Sequence, residues 1–116
     1  MERIPGSHVA EEDDEVASVG GSLTVDDGVR FEVEGNVGGN LDVREDADVF
    51  IGGNVGGNLT VAEGALVTVD GNVGGNVRTD GEVVLNGRVG GNVDVRGDGE
   101  AEVDEKRVGG NVRYRD

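Results

Sequence analysis

The chain has 116 residues, with 25 acidic against 10 basic side chains for a formal net charge of −15, 23 glycines, three aromatic rings and no cysteine. These totals allow one domain at most and exclude a disulfide frame, a thiolate metal site and a core built on large rings. A field of this sign repels phosphate backbones and anionic membranes alike, which argues against nucleic acid as a partner.

Nine of the ten basic residues are arginine, Lys106 being the one lysine. An acid-rich, lysine-poor surface points to the cytoplasm of a salt-accumulating halophile, where high salt screens the self-repulsion. No apolar run approaches the length of a membrane span and no signal-peptide core follows Met1, so the expected location is cytoplasmic. Low hydropathy with high charge is also the composition of disordered chains, but a periodic apolar pattern argues otherwise.

Residues 1–16 read as an acidic, disordered tail. Pro5-Gly6-Ser7 breaks regular structure, and Glu11-Glu12-Asp13-Asp14-Glu15 is a self-repelling block. His8, the only histidine, falls in this tail and reads as an incidental surface residue.

From residue 17 onward a repeat takes over. Val55-Gly56-Gly57-Asn58-Leu59-Thr60-Val61 has close copies starting at Val19, Val37, Val73, Val89 and Val108, spaced 18, 18, 18, 16 and 19 residues apart. Within a repeat the apolar residues come in pairs two apart, such as Leu41/Val43 and Val49/Ile51, the spacing of a strand with one buried face. Glycine doublets at five of these sites would each penalise a helix by about 2 kcal/mol. A hairpin sandwich would reverse direction and give unequal spacings. One coil per repeat explains the fixed period, hence an all-β, single-domain parallel β-helix of triangular cross-section spanning 17–116, with about five to six windings.

Aligning the windings gives three inward columns. One runs Leu23, Leu41, Leu59, Val77, Val93, Val112 beside Val25, Val43, Val61, Thr79, Val95, Tyr114. The second runs Phe31, Val49, Val67, Val83, Ala101 beside Val33, Ile51, Val69, Leu85, Val103. The third pairs Val19, Val37, Val55, Val73, Val89 and Val108 with Ala17, Gly35, Gly53, Gly71, Gly87 and Lys106. The body is expected to be roughly 25 Å long at the usual strand spacing, and the unequal repeats should differ only at corners. Asparagine at 40, 58, 76, 92 and 111 reads as corner chemistry that tolerates left-handed backbone, with a stacked hydrogen-bonded ladder or a ligand-binding row as alternatives.

Catalytic residues are not assembled by this pattern. The repeats hold no histidine, no zinc set can be built, and the acidic runs at 45–48 and 98–105 fix no calcium shell. The expectation is a protein with no enzyme activity, cofactor, metal or small-molecule substrate. Function moves to the ends. Val108, Val112 and Tyr114 are expected to form the exposed C-terminal edge, where the sequence runs only two residues further. Val19, Leu23 and Val25 would form the N-terminal edge once the tail swings aside. Uncapped edges imply end-to-end pairing. Phe50 and Val84, outward on one face, are candidates for a lateral contact with a protein partner.

The 18-residue winding with Gly-Asn-Val-Gly-Gly-Asn-Leu and alternating valine, isoleucine and leucine resembles the bactofilins, and its acidic, lysine-poor form is similar to their haloarchaeal relatives, the halofilins. The resemblance covers about residues 17–114. It implies a right-handed, three-sided β-helix that polymerises without nucleotide into non-polar filaments through alternating N-to-N and C-to-C contacts, as a scaffold or in cell shape. It implies the chain itself as partner, and another bactofilin-like or membrane-associated protein at the inner face of the membrane. Bacterial members often begin with an apolar, basic membrane-targeting segment, and Met1-Glu2-Arg3-Ile4 matches it poorly.

Overall fold

A computed structural model describes residues 3–97, 99–103 and 105–115. Its strands stack into a three-sided parallel β-solenoid of about six turns. The first sheet has seven strands: β2 (His8–Ala10), β5 (Leu23–Val25), β7 (Leu41–Val43), β9 (Leu59–Val61), β11 (Val77–Thr79), β13 (Val93–Arg96) and β15 (Val112–Arg115). The second has six: β3 (Asp14–Val16), β6 (Arg30–Val33), β8 (Asp48–Ile51), β10 (Leu66–Val69), β12 (Glu82–Leu85) and β14 (Glu100–Glu102). The third side begins with the pair β1 (Arg3–Ile4) and β4 (Ser18–Val19). It continues as single bridges from Val19 through Val37, Val55, Val73 and Val89 to Val108.

The register follows the inward columns read from the sequence. Leu23 lies beside Leu41, which lies beside Leu59, and Phe31 beside Val49. These side chains are sealed from water, Leu23, Val33, Val43 and Val67 completely, and each buried aliphatic contributes about 1.5–3 kcal/mol. The windings also bury Val29, Ala47 and Ala65, a corner column outside the alternating pairs.

The N-terminal region departs from expectation. Residues 3–16 are not a disordered tail but the first winding: β2 pairs with β5, β3 with β6 and β1 with β4, all parallel. The winding gains a backbone ladder and buries Ala10 and Val16, while Glu11 to Glu15 stay exposed. Self-repulsion among exposed acids costs less than these contacts return. Met1 and Glu2 lie outside the described residues. The added winding lengthens the body, whose longest dimension is 35 Å rather than the roughly 25 Å expected.

Both irregular repeats are absorbed at corners. The short one loses residues between β11 and β12, yet Val77 still pairs with Val93 and Val67 with Val83. The long one is taken up by a 3-10 turn, Glu105–Arg107, before Val108 rejoins the third side.

The Gly-Gly-Asn corner is a contact between windings. The N–H of Gly56 donates to Val37 O, and a Cβ on Gly56 would lie 2.5 Å from Gly38 O in the preceding winding. A Cβ on Gly57 would strike Oδ1 of Asn40. That oxygen is occupied, since it accepts the N–H of Asn58 at 2.8 Å. Left-handed backbone is found elsewhere, at Gly28, Asp46, Gly64 and Gly97 between the first and second sheets. Among the described residues no asparagine has positive φ, which corrects the left-handed reading of these corners.

A Cβ at Gly56 should therefore cost about 1–3 kcal/mol as an overpacking strain. Gly56→Ala is expected to lower the thermal midpoint by several degrees. Gly6→Ala, where a Cβ meets nothing within 4 Å, should leave it unchanged. Circular dichroism melting of both variants checks this.

Candidate functional site: the ladders, the corners and the two edges

Two asparagine ladders run along the solenoid. In the first, the N–H groups of Asn58, Asn76, Asn92 and Asn111 each donate to Oδ1 of the asparagine one winding earlier, all at 2.8 Å. Ser7 and Ser22 fill the first positions, their Oγ atoms accepting from Ser22 N–H and Asn40 N–H at 3.2 Å. The second ladder, Asn36, Asn54 and Asn72, was missed in the sequence because it alternates with the more conspicuous Gly-Gly-Asn run. Its oxygens accept from Asn54, Asn72 and Arg88 N–H at 2.7 Å. Each ladder bonds side chain to backbone, so its carbonyl oxygens are spent on the fold. A ligand-binding row is thereby disfavoured.

Thr79 is the buried polar residue of the inward columns. It stands where four other windings carry valine (Val25, Val43, Val61 and Val95), at the shortened corner. Its Oγ1 donates to Gly81 O at 2.8 Å and accepts Gly81 N–H at 3.1 Å, closing the tight turn with no solvent access. The hydroxyl is structural. Asp94 presents an Oδ1 with no hydrogen-bond partner on the outer surface of the first sheet, between Arg78 and Arg113 in register.

His8 belongs to the first sheet rather than to a tail. It pairs with Leu23, is half-buried, and packs its ring against Phe31 with centroids 5.8 Å apart. Among the described residues no three His, Asp or Glu side chains are grouped to hold a metal ion. None of their helices is long and apolar enough to cross a membrane.

The residues expected at the two edges meet different fates. Val19, Leu23 and Val25 are at most 1% exposed, because the winding formed by residues 3–16 lies over them. The actual N-terminal edge is lined by Ile4, His8, Ala10 and Val16. Pro5, which has no N–H to donate, stands beside it, with the exposed acids Glu11 to Glu15. At the other end Val108 is buried, Val112 is half-buried and Tyr114 is 68% exposed. Tyr114 is in register with the inward Val95, so its exposure comes from the lack of a further winding above it among the described residues. A cup of about 410 Å³ lies between Tyr114 and Glu100 and Glu102.

The lateral pair lies two windings apart on one face, as its spacing in the sequence implied. Phe50 and Val84 flank Thr68 directly on adjacent strands. Leu66, 36% exposed, joins them from the neighbouring row and was missed. Its signal was present: Leu66 precedes the inward Val67 by one residue, which places it outside.

No family model, no curated protein and no solved structure matches the chain.

Losing the Thr79 hydroxyl leaves the Gly81 N–H without its partner in a buried corner, at about 1–3 kcal/mol, while Gly81 O keeps the N–H of Glu100. Thr79→Val is therefore expected to destabilise the chain despite restoring the valine of those four windings. Urea unfolding should show a lower midpoint with an unchanged slope.

Proposed function

We propose that the chain is a structural building block, a bactofilin-like scaffold that pairs end to end with copies of itself without nucleotide and catalyses no reaction. The observation that supports this reading is the C-terminal edge. Among the described residues β15 has one neighbour, β13, and its outer backbone edge faces no further strand, with Tyr114 exposed and Val112 half-buried in the same row. An unpaired parallel edge carrying inward-facing apolar residues is a template for a second copy.

The two ends differ chemically, and this sets the order of assembly. Pro5 and the acids Glu11 to Glu15 guard the N-terminal edge. Pairing begins at the C-terminal edge, and the N-terminal edge joins when salt screens its charge. The proposed setting is the cytoplasm, including the inner face of the membrane, where another bactofilin-like or membrane-associated protein is a further partner.

A second reading rests on the apolar patch Phe50, Leu66 and Val84 on the outer surface of the second sheet. It makes the solenoid a lateral binding module. Phe50→Ser should leave single rods intact but remove side-by-side bundles; bundling unchanged by this substitution counts against the module.

The principal test is electron microscopy of purified protein at about 1 M salt, where the Debye length is about 3 Å. Filaments are expected without nucleotide. Tyr114→Arg should abolish them and leave the β circular dichroism spectrum intact, while uniform monomers at high concentration would contradict the proposal.

A further inference from the structure

On the third side, toward the C-terminal end, lies a groove of about 510 Å³. Its floor is the backbone of Val73-Gly74, Val89-Gly90 and Val108-Gly109, whose valine side chains are buried in the core, and its rim carries Arg88, Lys106 and Arg107. Three of the chain's ten basic residues thus surround one groove on a molecule of net charge −15.

The placement of these arginines is not a requirement of the fold. Arg88 and Arg107 occupy the positions that Asn36, Asn54 and Asn72 hold in the earlier windings. Arg88 meets the ladder with its backbone alone, giving its N–H to Asn72 Oδ1 at 2.7 Å. Its side chain is exposed. Arg107 Nη1 donates to Asn86 O at 2.9 Å, which fixes the guanidinium beside the groove. The ladder has exchanged a neutral side chain for a cation where this groove opens.

The complementary surface is on the same chain at its other end. Glu11, Glu12 and Asp13 turn the corner between β2 and β3, with Asp14 and Glu15 following, all exposed. Asp13 Oδ1 accepts Arg30 N–H at 2.8 Å, which gives the corner a fixed shape. This corner is exposed and acidic; the groove is recessed and basic. One copy cannot join the two, because the corner belongs to the first winding and the groove to the last ones of a body 35 Å long.

We propose that the acidic corner Glu11–Asp13 of one copy docks into the groove between Arg88, Lys106 and Arg107 of another. Arginine presents paired N–H donors that match a carboxylate. The contact joins two different surfaces, so it repeats and staggers rods side by side. It goes beyond end-to-end pairing and does not depend on it. Salt separates the two, since charge docking fades as salt rises, whereas apolar edge pairing persists.

The native chain has no cysteine, which permits a clean cross-link. In chains carrying Tyr114→Arg, to disable the C-terminal edge, Glu12→Cys is placed in one copy and Lys106→Cys in the other. At about 0.1 M salt, with oxidised glutathione supplied as the oxidant, the mixed disulfide should form at least tenfold faster than a control pairing Glu12→Cys with Thr60→Cys on the first sheet. Raising salt to about 1 M, or adding Arg88→Glu and Arg107→Glu to the Lys106→Cys copy, should bring the rate down to the control. Introducing Glu11→Lys and Asp13→Lys opposite the reversed groove should recover it. Equal rates for the two pairings, or a rate unmoved by salt and charge reversal, would overturn the proposal. Circular dichroism of each variant confirms that the solenoid is intact.

Discussion

The fold depends on how closely one winding lies upon the next at the Gly-Gly-Asn corner. Side chains in the strands point into the core or out to water, but at this corner the stacking direction runs through the α-carbons. A carbonyl oxygen from the preceding winding occupies the place of a Cβ on the first glycine, and an asparagine Oδ1 occupies it on the second. The asparagine bonds the N–H above it, so the motif spans two windings: the asparagine of one and the glycines of the next. This contact adds to the backbone bonds of the third side, where strand pairing narrows to single bridges between valines after the first pair of strands.

That contact is directional. Along both ladders, from Asn36 to Asn92, each asparagine oxygen accepts from the winding nearer the C terminus, and the parallel strands add one row at a time in the same sense. The ends therefore cannot be equivalent. One presents Pro5, His8 and a block of acids; the other presents Val112 and Tyr114. Exposed ion pairs along the sides, such as Arg30 with Asp48 at 3.7 Å, do little for stability.

Much of the architecture was legible because burial in a solenoid repeats at one period. Leu41 and Val43 predict Leu59 and Val61, and the structure pairs them. The first winding was not legible for the same reason. Its inward positions are Ile4, His8, Ala10, Asp14 and Val16, a series too mixed to show the period beside five consecutive acids. With it went the N-terminal edge, and Val19, Leu23 and Val25 proved to be core. Tyr114 sits at the open end as its column required, since its row was set by Val95. The second ladder and Leu66 were missed for a different reason, because neither interrupts a pattern that already explained its neighbours.

The central claim is that the open edge of β15 is where copies meet. Amide hydrogen exchange at Val112–Arg115, followed from dilute to concentrated protein in high salt, tests it most directly. Protection should rise with concentration at these residues and remain constant at β9, which is already paired on both sides. Exchange at β15 that is independent of concentration would contradict the account.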